Sequence, residues 1–171
     1  MSTNEQDRRL QAEIPHLRRY ARALLRDRDA AEDLLQDVLA RGWSRLHLWR
    51  PGTSLRTWLF AIMHNLHANQ VRDRSRRPAP TAVEDDHPAF AARAEQGDGL
   101  ELAALEAALA RLPEEQRAVV LLVGLEQLSY RDAAEALSVP VGTVMSRLHR
   151  GREKLREMLA EGGRPGLRRI K

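Results

Sequence analysis

Arg147, Arg150 and Arg152 stand close together in the last third of the chain, interleaved with Thr143, Met145, Ser146 and His149. A guanidinium is a rigid fork of donors that fits phosphate or guanine, hydroxyls pair with several base edges, and an apolar side chain can meet a thymine methyl. Such a set does its chemistry only if a helix carries it into a DNA groove. Residues 128–155, LSYRDAAEALSVPVGTVMSRLHRGREKL, have that form. Ser129 can cap a first short helix whose Ala133, Ala134 and Leu137 make a buried stripe, small where a partner helix must come close. Ser138-Val139-Pro140 supplies the turn, with Pro140 in a first helical turn that needs no N–H from it. Val141, Val144, Leu148 and Leu155 then continue an apolar face, which leaves Thr143, Met145, Ser146, His149 and Arg150 pointing outwards. The pattern predicts a helix-turn-helix with a DNA-reading second helix. A solvated face on a helical hairpin is the plain alternative, and the coincidence of turn chemistry with a basic face argues against it.

The rest of the chain must position and complement this unit. Its 171 residues allow one domain or two small ones, and 43% hydrophobic content is enough for helical cores. There is no cysteine, which removes disulfides and thiolate metal sites and suits a reducing compartment. No run approaches the 18 to 20 apolar residues, roughly, that a membrane span needs, and the polar start MSTNEQDRRL lacks a signal-peptide core. The expectation is therefore a soluble, cytoplasmic protein without membrane insertion. Nearly all the basic charge is arginine, since Lys154 and Lys171 are the only lysines.

Charge divides the chain into three. Residues 1–78 hold 15 Arg against 9 acidic residues, 79–112 hold 2 against 7, and 113–171 hold 11 basic against 8 acidic residues. The acidic middle overlaps SRRPAPTAVEDDHPAFAARAEQGDG (75–99), with three prolines, two glycines, the run Glu84-Asp85-Asp86 and no apolar periodicity. It reads as a linker. On either side the pattern is helical throughout, with no strand alternation. The expected fold is all-α: two small helical domains joined by a flexible linker, at 1–76 and 99–162, with the linker at 77–98 and a basic tail at 163–171.

In the first domain a helix over 14–26 carries Leu17, Tyr20, Ala21, Leu24 and Leu25 at helical spacing. Asp29 with Glu32 forms a capping-box pattern opening a second helix, whose core stripe is Leu34, Leu35, Val38, Leu39 and Trp43. Asp33, Gln36, Asp37 and Arg41 take the other face. After a loop at 47–52, Thr53 or Ser54 can cap a long helix to about Arg74, with Trp58, Leu59, Ile62 and Leu66 as core positions. His64 and His67 have metal-pair spacing but no neighbouring carboxylate or cysteine to complete a site. Helices over 100–112 and 113–125 precede the helix-turn-helix, with Pro113 at a helix start.

Four stretches in order, DAAEDLLQDVLARGW (29–43), SLRTWLFAIMHNL (54–66), LPEEQRAVVLL (112–122) and SYRDAAEALSVPVGTVMSRLHRGREKL (129–155), resemble the successive signatures of the extracytoplasmic-function (ECF) group of sigma-70 factors. The resemblance covers nearly the whole chain in the family's order, as regions 2 and 4. It implies a transcription-initiation subunit without catalytic activity, cofactor or metal. Such a subunit binds core RNA polymerase through its beta-prime and beta subunits, directs it to promoter DNA, and has an anti-sigma factor as a further partner.

By the same resemblance, Asp33, Gln36 and Asp37 would dock on a coiled coil of the largest polymerase subunit. Trp49, Arg50, Ile62, Asn65, Asn69 and Arg72 would serve the −10 element and its melting, with Trp49 either stacking on a flipped base or simply packing its own loop. The −35 element would fall to Thr143, Met145, Ser146, His149 and Arg150, with Arg147 and Arg152 on phosphates. Many relatives carry Arg or Lys where Met145 stands, so the promoter preferred here does not follow by analogy. Trp43 and Trp58 fall on apolar stripes and are expected in the core.

An autonomous helix-turn-helix regulator is the competing class; it predicts a self-complementary dimer and operator binding without polymerase, while the first domain offers polar and basic faces and no evident apolar pocket. A protein-binding adaptor is a third. The 25 residues of 75–99 could stretch to roughly 80 to 90 Å but relax to roughly 25 to 30 Å. A compact free protein that opens on polymerase is the expectation.

Overall fold

The structure, a computed structural model, describes residues 3–76 and 98–162. The acidic run Glu84-Asp85-Asp86 with most of the expected linker, and the basic tail from 163, lie outside the described residues. Among those described the secondary structure is helical, without strands. The seven α-helices are α1 (Thr3–Leu25), α2 (Arg28–Ser44), α3 (Leu55–Arg76), α4 (Asp98–Arg111), α5 (Glu114–Val120), α6 (Tyr130–Leu137) and α7 (Val141–Gly162). A 3₁₀ turn at Leu46–Leu48 and a π turn at Leu121–Leu125 complete them.

α1, α2 and α3 form the first bundle. Arg26, at φ 60, ends α1 in the left-handed conformation. Asp27 then caps α2 by accepting from the amides of Asp29 (2.9 Å) and Ala30 (3.0 Å), so the cap lies two residues before the expected Asp29. Asp29 sits instead in the first turn, where its charge favours the helix dipole. Two residues between packed helices force a tight reversal. Arg18 and Arg22 reach across it to Glu32, at 2.9 and 2.8 Å. Burial pushes the Glu32 carboxyl up, but bonds from Arg22 and Arg18 outweigh it and hold the group below its ordinary range.

α2 buries Ala31, Leu34, Leu35, Val38 and Gly42. The position four after Val38 is thus Gly42, and a Cβ there would stand 2.9 Å from Leu59 Cδ2 of α3. Trp43, one residue or about 100° further round the helix, is 43% exposed; the expected core tryptophan faces solvent. On α3, Ser54 rather than Thr53 supplies the cap, its Oγ accepting from the Thr57 amide at 3.1 Å. Leu59 is buried, while Trp58, Ile62 and Leu66 pack half-buried on the core. A second buried row, Phe60, Met63 and His67, was not anticipated. Phe60 meets the Tyr20 ring edge-on at 5.1 Å between centroids.

In the second half α7 is the spine on which α4, α5 and α6 pack. Gly151 lets α5 approach, since a Cβ there would be 2.8 Å from Val120 Cγ2. The two halves are not apart. α6 lies against α3, α5 and the π turn lie against α1, and one apolar cluster runs from Leu10 through Met63 to Val144 and Leu148.

Candidate nucleic-acid interface

The helix-turn-helix is built from local rules. Ser129 Oγ accepts from the Asp132 amide at 3.0 Å and opens α6. Ser138, at φ 53, ends α6 in the left-handed conformation, and the Val139 amide donates to the Ala134 carbonyl at 3.0 Å. Pro140 precedes α7, its carbonyl accepting from the Thr143 amide at 2.9 Å. Ala133, Ala134 and Leu137 are buried, as are Val144, Leu148 and Leu155. Val141 is not: it sits in the first turn of α7, 41% exposed, because the buried stripe begins at Val144.

Outside that stripe, Met145 and His149 form one exposed row of α7, and half-buried Ser146 lies one turn from exposed Arg150. Met145 is 53% exposed, and His149, Arg150 and Arg152 are exposed. Thr143 and Ser146 are half-buried, with the Ser146 hydroxyl donating to the Thr143 carbonyl at 3.1 Å. Arg147 is half-buried, its Nη2 3.0 Å from Glu115 Oε2. Of the seven residues predicted to face DNA, it is one held in an ion pair.

On the first half, Asp33, Gln36 and Asp37 are exposed and continue into Ala40, Arg41 and Ser44 along one side of α2. Asp37, Ala40, Arg41, Ser44 and Arg45 line a shallow depression of about 410 Å³ closed by Leu66 of α3. Trp43 flanks this face. Sequence reasoning missed it as a surface residue because periodicity alone counts every large apolar side chain towards the core.

The six residues predicted for strand opening divide. Arg50, Asn65, Asn69 and Arg72 are exposed, and Asn69 Oδ1 accepts from Arg72 Nη2 at 2.8 Å. Ile62 packs half-buried on the core. Trp49 is 7% exposed, a member of the apolar cluster, and its indole Nε1 has no hydrogen-bond acceptor among the described residues. The loop expected to offer a stacking platform folds its tryptophan inwards, because the 3₁₀ turn at Leu46–Leu48 brings the Trp49 amide back to the Leu46 carbonyl at 3.1 Å. His67 is paired with Glu114 at 2.9 Å rather than with His64. Burial, with the neighbouring His67 charge, holds His64 below the ordinary imidazole range.

The model of sigma-70 region 4 matches residues 102–155, and the model of the sigma2 domain of PhyR matches residues 10–64. The chain is 37% identical over 156 residues to the ECF RNA polymerase sigma factor EcfG of Rhodopseudomonas palustris, covering 89% of this chain and 83% of that protein. It is 40% identical over 147 residues to the ECF sigma factor SigE of Mycolicibacterium smegmatis, covering 84% of this chain but 57% of that longer protein. Among solved structures, the sigma factor RpoE in complex with the anti-sigma factor NepR from Bartonella quintana superposes with a TM-score of 0.76 at 30% identity, over 95% of this chain and 100% of that one.

Proposed function

The chain belongs to the extracytoplasmic-function group of sigma-70 factors, which direct RNA polymerase to promoters, and from that premise we propose how its own residues divide the work. The second half reads the −35 element. Arg150 and His149 meet base edges with Ser146 and Thr143 beside them, Met145 contributes an apolar contact, and Arg152 binds phosphate. Arg147 joins the phosphate contacts once it leaves Glu115. One observation carries this assignment: a capped, tightly turned helix pair whose exposed rows hold Met145, His149 and Arg150 lies within the residues matched to region 4.

The first half, residues 1–76, binds core polymerase through Asp33, Gln36 and Asp37, a polar patch suited to a helical surface of the beta-prime subunit. Asn65, Asn69, Arg50 and Arg72 face the −10 element. Strand opening needs contacts made only to unstacked bases, because unstacking costs a few kcal/mol, and amides and guanidiniums on an exposed helix can supply them. Trp49 supports that loop from beneath. Residues 77–98 tether the two readers, and residues 163–171 add non-specific attraction to phosphate. An anti-sigma factor, the partner that RpoE has in its complex with NepR, is the expected inhibitor.

The chain works in the cytoplasm as a binding subunit without catalysis; no helix of the described residues is long and apolar enough to cross a membrane. Reconstitution with core polymerase on a promoter library tests the reading. Promoter-dependent transcripts should appear only when the chain is added. Sequence-specific duplex binding by the chain alone, with no gain in transcripts, would point instead to an autonomous regulator.

A further inference from the structure

All the sulfur of this chain is thioether, since it has 4 methionines and no cysteine. Met1 lies outside the described residues, and the fold treats the other three differently. Met63 is 0% exposed in the core of the first half, and Met158 packs half-buried against Ala108, Leu112 and Leu155. Met145 is 53% exposed, in one row with His149 on the DNA-reading side of α7.

The opening around Met145 has a local cause. A helical side chain leans towards the N-terminus, over the residues three and four positions earlier, which here are Gly142 and Val141. Gly142 has no side chain, and a Cβ added there would meet nothing within 4 Å. Val141 is itself 41% exposed. The preceding turn therefore offers the thioether little cover. The same gap that lets a base edge approach the row lets a small oxidant reach the sulfur.

A thioether is a soft nucleophile. A peroxide oxidises it by two electrons: the sulfur lone pair takes one peroxide oxygen, the S–O bond forms as the O–O bond breaks, and the remainder leaves as water or an alcohol. Two thiols reverse the step, the sulfoxide oxygen leaving as water and the thiols joining as a disulfide. What the sulfoxide does depends on where it sits. In solvent its dipole is hydrated and the helix beneath is undisturbed. Against a thymine methyl its oxygen loses water and gains no donor, and burying an unpaired polar group costs roughly five- to a hundredfold in affinity.

We propose that Met145 is a reversible oxidation site on the DNA-reading row, at which a peroxide weakens reading of the −35 element without unfolding the chain and a thiol-dependent reductase restores it. The consequence for transcription rests on the function proposed above; oxidation at Met145 does not. Thiol chemistry is closed to a chain without cysteine, so among the described residues this thioether is the sulfur that an oxidant in solution meets first.

The test treats the free full-length chain with hydrogen peroxide, removes the peroxide, and then adds untreated core polymerase. Peptide mass spectrometry should find one added oxygen at Met145 about tenfold sooner than at Met63, following exposure. Helical signal should not change. Holoenzyme made from the treated chain should bind a promoter recovered from the library about tenfold more weakly, and methionine sulfoxide reductase with a thiol should restore the binding. Met145→Leu removes the sulfur, so whatever its own affinity, its treated and untreated forms should bind alike. Equal oxidation rates at Met145 and Met63, undiminished binding by a chain oxidised at Met145, or the same loss on treating Met145→Leu would each overturn the proposal. So would a loss of helical signal that Met145→Leu prevents, since Met145 would then serve the fold. Untreated holoenzyme indifferent to the −35 sequence would refute the function instead, and mass spectrometry would still decide whether Met145 is the oxidation site.

Discussion

Replacing Trp49 distinguishes a core residue from a base-stacking one. The side chain is 7% exposed within the apolar cluster, so Trp49→Ala removes a bicyclic ring from a packed site at a cost of about 3 to 5 kcal/mol. Stability of a domain this size lies at about 5 to 15 kcal/mol, and each kcal/mol shifts Tm by about 2 to 4 °C, so the melt should fall by roughly 6 to 20 °C. Trp49→Phe should behave differently. It keeps most of the ring and deletes an indole N–H that finds no acceptor among the described residues, so the lost packing is offset by relief of an unmet donor, and Tm should stay within about 5 °C. Helical signal at 222 nm on heating reads both. Permanganate footprinting of holoenzyme on a promoter, at a temperature where each variant is folded, reads opening. Unchanged Tm in Trp49→Ala with loss of unpaired thymines would refute the packing role and show that the tryptophan is turned out in the working complex.

Arg150→Ala should lose about 1 to 3 kcal/mol of discrimination at one −35 base pair, whereas Arg152→Ala should weaken all sequences alike and lower the salt slope by about one unit; anisotropy titrations over several salt concentrations separate the two, and equal losses would end the base-reading assignment. Reversing the charge at Asp33 and Asp37 should abolish binding to core polymerase while leaving the melt unchanged, because both are exposed opposite the buried side of α2; retained affinity in a pull-down would misplace the docking face. Acid should destabilise the fold in two windows. Below the ordinary imidazole value of 6.5 the unfolded chain binds more protons at His64 than the folded one, so stability falls with pH there, and His64→Gln should flatten that part of the Tm profile. Glu32 contributes above the ordinary carboxyl value of 4.5 and is lost as pH falls through its lowered one, a slope that Glu32→Gln should remove.

What the sequence made legible was local. The cap at Ser129, the small stripe Ala133, Ala134 and Leu137, and the exposed row through Met145 and His149 follow from spacing and turn chemistry within about 30 residues, and the structure has all of them. Asp33, Gln36 and Asp37 are exposed as expected. Trp43 failed because the stripe of α2 continues through a glycine, and a glycine carries no apolar signal even where Leu59 packs on it. The second row of α3, with Phe60, Met63 and His67, was hidden for a related reason: a helix touched by α1, α2 and α6 has more than one buried face, and periodicity ranks only the strongest. Buried Glu126 could not be found at all. Its partners, Arg19 and His16, lie 107 and 110 residues away in sequence, and an isolated glutamate before a turn reads as solvated.

The apolar cluster that runs unbroken through both halves has a calorimetric consequence. Residues 3–76 and 98–162 would each make a folding unit of about 70 residues, a size at which the fraction of surface buried is small and stability marginal. Joined through α3 and α6 they share one apolar cluster, so heat absorption by the free chain should be a single transition whose van't Hoff and calorimetric enthalpies agree. Once the halves part, two small units unfold separately and at lower temperature, and each opens more often to proteases.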